Sequence, residues 1–74
     1  MRNYLSMSTI GQNIKRLRRS CGLSQGKLAR QASVSLNTVV KLELGENDNP
    51  TLKTMQSLAH VLGTNLMGLL RKGR

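Results

Sequence analysis

Acidic side chains are scarce in this chain: three Asp and Glu stand against twelve Lys and Arg, a net charge of +9. That excess must be neutralised by counterions or met by a polyanion, and nucleic acid is the first candidate. Aromatics are nearly missing as well, with Tyr4 the single Tyr and no Phe or Trp, so the core has to be aliphatic. Cys21 is alone, which excludes an internal disulfide and fits a reducing, cytoplasmic setting. One His and one Cys cannot make a zinc site, and no cofactor is indicated. No apolar run approaches the roughly 20 residues that span a bilayer, and Met1 to Ser8 has no secretory character. The chain is therefore expected to be soluble, with no membrane partner. With 74 residues it has room for one small domain and little for an enclosed catalytic cavity. No nucleophile–base pair is visible either, so an enzyme is not expected.

What is present is helical periodicity, and its charge is unevenly placed. Met1 to Arg30 carries Arg2, Lys15, Arg16, Arg18, Arg19, Lys27 and Arg30 without one acid, whereas Glu43, Glu46 and Asp48 share a short segment. Thr9-Ile10-Gly11-Gln12 has the form of a capping box, and Ile10, Ile14 and Leu17 recur at helical spacing up to Gly22. A first helix is expected over about Ser8 to Cys21. Ser24 can cap a second, barely two turns long, with Leu28, Ala29 and Ala32 inward, before Ser33-Val34-Ser35 interrupts the pattern.

From Ser35 as the next cap, a third helix runs to about Leu44 and stops at Gly45. Val39 and Leu42 share its inner face; Asn37, Val40, Lys41 and Leu44 lie on the other. Glu46 to Pro50 reads as a loop. Thr51 caps a fourth helix with Leu52, Met55, Leu58, Ala59 and Leu62 inward, ended by Gly63, and a last helical turn covers about Asn65 to Leu70. Strand signals are almost absent, so the fold class is all-α, a compact five-helix domain. Its expected core is Ile14, Leu17, Leu28, Val34, Val39, Leu42, Leu52, Met55, Leu58 and Leu62. Residues 1–8 form an N-terminal arm, 9–70 the domain and 71–74 a basic tail.

In order along the chain stand Ile14 to Arg18, Leu23-Ser24-Gln25, Leu28-Ala29, Val34-Ser35, Val39, Leu42-Glu43, Gly45, Asn49-Pro50, Leu58-Ala59 and Leu62-Gly63. Each is weak alone; the ordered set resembles the Cro/C1-type, lambda-repressor-like helix-turn-helix proteins over roughly Ile10 to Leu70. The resemblance implies a DNA-binding domain with its helix-turn-helix at the second and third helices. It also implies that Gln25, opening helix two, contacts a phosphate, supported by free backbone N–H groups. Arg18 and Glu43 match positions that form a partly buried structural pair. Ser33 departs from the pattern by standing where Gly is common, so a left-handed backbone there would be strained.

The physics of the third helix points the same way. A helix fits the major groove, and only its outward face and first turn reach base edges. Those residues are Ser35, Leu36, Asn37, Val40 and Lys41. Asn can bond an adenine edge bidentately, Lys can donate to guanine, and an aliphatic side chain can pack on a thymine methyl. Arg16, Arg19, Lys27, Arg30 and Lys53 join Gln25 as backbone-contact candidates. One module reads too few base pairs for high specificity, so a homodimer on a palindromic operator in double-stranded DNA is expected. Leu66, Met67, Leu69 and Leu70 are its candidate interface, a region that the resemblance also implies. The function expected is a repressor or autoregulator. The alternative is an antitoxin-type protein that grips a partner protein and binds DNA secondarily.

Overall fold

The structure, a computed structural model, describes residues 4–46 and 50–71. The expected stretches Met1 to Asn3, Asn47 to Asn49 and Lys72 to Arg74 lie outside it. Among the described residues there is no strand; there are five helices, α1 (Tyr4–Ser20), α2 (Gln25–Ala32), α3 (Leu36–Leu44), α4 (Leu52–Val61) and α5 (Leu66–Leu70). Four of the five begin where a short polar side chain accepts the N–H three residues on: Ser24 from Lys27, Ser35 from Thr38, Thr51 from Thr54 and Asn65 from Gly68, each at 3.0 Å. These bonds satisfy donors that the first turn of a helix leaves free. The exception in position is α1, which starts a turn before the capping signal at Ser8 and Thr9. Nothing between Tyr4 and Ser8 breaks a helix, since the stretch holds neither Gly nor Pro, and a capping preference does not stop a helix that can propagate.

The helix ends are equally uniform. After α1, α2, α3 and α4 a left-handed residue turns the chain, and the next N–H reaches back to a carbonyl five residues earlier, as in Val34 N to Ala29 O at 2.9 Å and Glu46 N to Lys41 O at 2.8 Å. Gly22, Gly45 and Gly63 serve three of these turns; Ser33, at φ 58°, serves the fourth and is the sole non-glycine residue with positive φ among those described. A side chain in that conformation costs about 1–2 kcal/mol. Ser33→Gly is therefore expected to stabilise the fold by about 0.5–1 kcal/mol, after the extra freedom of glycine in the unfolded chain is subtracted. A urea titration of the two proteins measures it; equal midpoints would show that the turn carries no strain.

Each helix contributes a fully buried aliphatic side chain to one centre: Ile14, Leu28, Val39, Leu42, Leu58 and Leu69. Ile10, Ala29, Ala32, Ala59 and Leu62 complete the buried set, with Leu17, Leu23, Val34, Met55 and Val61 half-buried around it. Helices as short as α2 and α5 are marginal alone, so this shared burial holds them. Leu52 corrects the expected core: it is 54% exposed. It opens α4, and side chains tilt toward a helix's N-terminus, so Leu52 projects past the end of the packed region despite its inward phase. Leu69 moves the other way. Expected at an interface, it is fully buried within the protomer and is not available to a second copy.

Two close contacts on α1 were not legible in its apolar pattern. A Cβ on Gly11 would lie 2.1 Å from the carbonyl oxygen of Leu42, so α1 and α3 meet backbone to backbone there. Asn13, only 3% exposed, donates its amide to the carbonyls of Leu69 and Arg71, both at 2.7 Å. That buried bond pair fastens α5 to α1 and satisfies carbonyls at the end of α5.

Candidate nucleic-acid interface

The geometry of the presented helix rests on one charged cluster. Arg18 of α1 donates Nε to Glu43 Oε2 at 2.6 Å and Nη2 to Oε1 at 3.0 Å, and its Nη1 to the Leu23 carbonyl at 2.9 Å. Gln25, the first residue of α2, donates Nε2 to Glu43 Oε1 at 3.0 Å. One carboxylate near the end of α3 thus ties together α1, the α1–α2 turn and α2. The side chains of Arg18 and Glu43 are only 11% and 4% exposed, so the fork is shielded from water and worth more than a surface pair. Gln25, expected at a phosphate, spends one of its two amide N–H groups on Glu43 and so also helps hold the carboxylate that positions α3.

Burial pushes the Glu43 carboxyl up, but hydrogen bonds from Arg18 and Gln25, with the charges of Arg18 and Lys15, outweigh that and hold it below the usual glutamate range. The Arg18 guanidinium is raised, chiefly through its bond to Glu43. A carboxyl depressed by folding contributes stability that is fully present above its unfolded value, about 4.3, and lost as pH falls through the folded value. Stability is therefore expected to be level from neutral pH down to about 5 and to fall below about 4. With three acidic side chains in all, Glu43→Gln should remove most of that fall. Denaturant midpoints from pH 7 to 3 check it, and an equally steep loss in the variant would deny Glu43 the role.

On this support, α3 turns its inner residues Val39 and Leu42 into the core and leaves the opposite side open. Leu36 is 52% and Leu44 64% exposed; Asn37 and Lys41 are exposed, and Val40 is half-buried at the edge. Ser35 sits at the N-terminus with its hydroxyl spent on the cap and on a 2.8 Å contact with Thr38 Oγ1, so what it offers outward is limited. Lys27 and Arg30 are exposed on α2. Lys53, near the start of α4, lines a shallow cleft with Gln31 and Ser33 beside the α2–α3 turn.

Arg16 and Arg19 do not join that group. Arg18 marks the side of α1 that meets α3, and at about 100° per residue Arg19 lies a quarter turn from it and Arg16 nearly opposite. Arg16 instead donates to Asn13 Oδ1 at 3.2 Å, on the α5 side. Both are exposed and stand round α1 from the side that meets α3. Met67 at 70% and Leu70 at 44% are exposed on α5, with Leu66 half-buried beside them.

Two capped helices, joined by a tight turn and braced so that the second faces outward, define a helix-turn-helix DNA-binding domain. Comparison with known proteins agrees. The helix-turn-helix pattern HTH_3 matches residues 14–69, and the chain belongs to that family. An uncharacterized HTH-type transcriptional regulator of Coxiella burnetii is 28% identical over 64 residues, covering 86% of this chain and 30% of that protein. An HTH_3 family transcriptional regulator from Vibrio cholerae superposes with a TM-score of 0.81 at 30% identity, covering 89% of this chain and 36% of that one. SinR, in a complex of SinR protein with SinI protein, gives 0.80 at 31%, with 82% and 59% covered. The same fold makes up part of the hydroxypropylphosphonic acid epoxidase of S. wedmorenis, at 0.83 and 26%, with 93% and 36% covered. The chain spans about a third of the length of the curated relative and of the epoxidase. No helix among the described residues is long and apolar enough to cross a membrane.

Proposed function

We propose that this chain is a sequence-specific regulator of transcription that acts in the cytoplasm, without catalysis or a cofactor, as a homodimer on a palindromic operator, and represses by occupying it. The observation that carries the reading is the open side of α3: Leu36, Asn37, Lys41 and Leu44 stand outside the core on a helix too short to need them for its own packing. Leu36 and Val40 suit thymine methyls, Asn37 an adenine edge and Lys41 a guanine. Lys27, Arg30 and Lys53 are placed on neighbouring elements to meet phosphates. Met67 and Leu70, with Leu66, supply the apolar surface for a two-fold contact through α5, since a five-residue helix has no use for them at home.

The test is a binding titration on the chain's own upstream region against random DNA. Asn37→Ala is expected to lose about 1–3 kcal/mol of discrimination between the two, with a salt slope like that of the unaltered protein. Equal losses on both DNAs would mean that another face reads the bases. A second reading is favoured by the likeness to SinR, solved with a protein partner: an antitoxin-type protein whose exposed Met67 and Leu70 take a partner chain rather than a second copy. Light scattering on the pure protein separates the two. A monomer at micromolar concentration that forms a stoichiometric complex with a co-expressed neighbouring polypeptide would favour the partner.

A further inference from the structure

The outer side of α1 carries a basic surface that the reading of α3 leaves unused. Gln12, Lys15, Arg16 and Arg19 fall together at helical spacing, on the side away from Ile10, Ile14 and Leu17. All four are exposed, and with Ser20 they line one shallow cleft. Tyr4–Ser20 contains no acid to neutralise them. Arg16 is also partly preset, because its guanidinium donates to Asn13, whose own amide is pinned to the end of α5. Ordering one long cationic side chain in advance lowers the entropy lost when it meets an anion.

Every side chain lining that cleft ends in a polar or charged group, and its apolar surface is the aliphatic stems of Lys15, Arg16 and Arg19 rather than a bulky apolar side chain. A protein interface depends on buried aromatic or aliphatic anchors at its centre, and this surface has none. A phosphodiester backbone needs no such anchor; it needs regularly placed cations that release its counterions. Arg16 and Arg19 lie round α1 from the side that meets α3, so on the groove reading they point away from the duplex that α3 would hold, while Lys15 borders the α3 side near Glu43. We propose that the outer side of α1 holds the phosphate backbone of a second DNA segment, without regard to sequence, so that a protomer seated on one duplex by α3 bridges to another. The proposal rests on the groove reading of α3 given above.

Bridging is read by fixing an operator duplex to beads, saturating it with the full chain, and measuring capture of a labelled random duplex. The unaltered protein captures the second duplex, and with three phosphate contacts capture falls roughly 40-fold between 50 and 200 mM salt. The variant Arg16→Gln/Arg19→Gln keeps its hold on the fixed duplex within about twofold, yet captures at least about tenfold less of the second. Equal capture by variant and parent would overturn the proposal, placing any bridging in the two α3 faces of a dimer. A parallel loss of affinity for the fixed duplex would overturn it too, by putting both arginines on the same DNA as α3. Binding of polyglutamate through the same two arginines, as tightly as the second duplex, would replace DNA by an acidic protein as the occupant. If the parent fails to hold even the fixed duplex, the reading of α3 falls, and the bridge with it.

Discussion

Gly11→Ala is expected to lower the melting temperature by roughly 10–20 °C or to prevent folding outright. The added carbon would sit 2.1 Å from the Leu42 carbonyl oxygen, a backbone atom of α3 that cannot turn aside as a side chain does. Relief requires α1 and α3 to separate, and overpacking of that kind costs about 1–3 kcal/mol, occasionally more. In a domain of this size each kcal/mol shifts the midpoint by about 4–8 °C. The same displacement tilts the helix that carries Asn37 and Lys41, so DNA affinity should fall further than the lost folded fraction explains. Gly26→Ala is the control. Gly26 lies within α2, its nearest neighbour to a new Cβ is Ser24 Oγ at 4.0 Å, and alanine there should stabilise by about 0.5–1 kcal/mol. Thermal melts followed by circular dichroism decide both, and a Gly11→Ala protein with an unchanged midpoint would mean that α1 and α3 do not touch at Gly11 and Leu42.

Removing the Glu43 side chain is the other severe change. Glu43→Ala strands the Arg18 guanidinium, 11% exposed, without its carboxylate and leaves the Gln25 amide without its acceptor. Breaking a buried pair from one side costs about 3–5 kcal/mol, which is most of the stability of a marginal domain. Replacing both partners with apolar residues of similar volume, Arg18→Met with Glu43→Leu, should restore much of the loss, since a buried pair pays nearly as much in desolvation as it returns. Chemical denaturation of the two single variants and the double yields the coupling between the positions. Additive losses would mean that the fork contributes to neither stability nor the placement of α3. Where the double variant recovers stability, its affinity for DNA shows whether the charged bracket is also needed to aim α3, which shape alone need not do.

Much of the molecule was readable beforehand because local rules act on near neighbours. Ser24, Ser35 and Thr51 cap because their oxygens reach an N–H three residues on, whatever surrounds them. The glycines after α1, α3 and α4 end helices for an equally local reason, and Ser33 adopts the strained turn that its position implied. The resemblance carried Arg18 to Glu43 across 25 residues, a pairing that composition alone does not assign. Asn13 could have been noticed: a polar residue in phase with Ile10, Ile14 and Leu17 is either misplaced or buried with a partner. Gly11 offered no comparable sign, since a glycine in a helix looks the same whether it faces solvent or another backbone.

Sequence by itself determined the five helices, every end but the start of α1, most of the aliphatic centre and the excess of cations, because each follows from contacts within a turn or from periodicity and charge counted along the chain. Only the tertiary structure decided which apolar positions were spent at home, burying Leu69 and releasing Leu52, and on which side of α1 each arginine came to lie. Those outcomes depend on where one helix ends against another in space, and helical phase fixes the direction of a side chain without saying what stands in front of it.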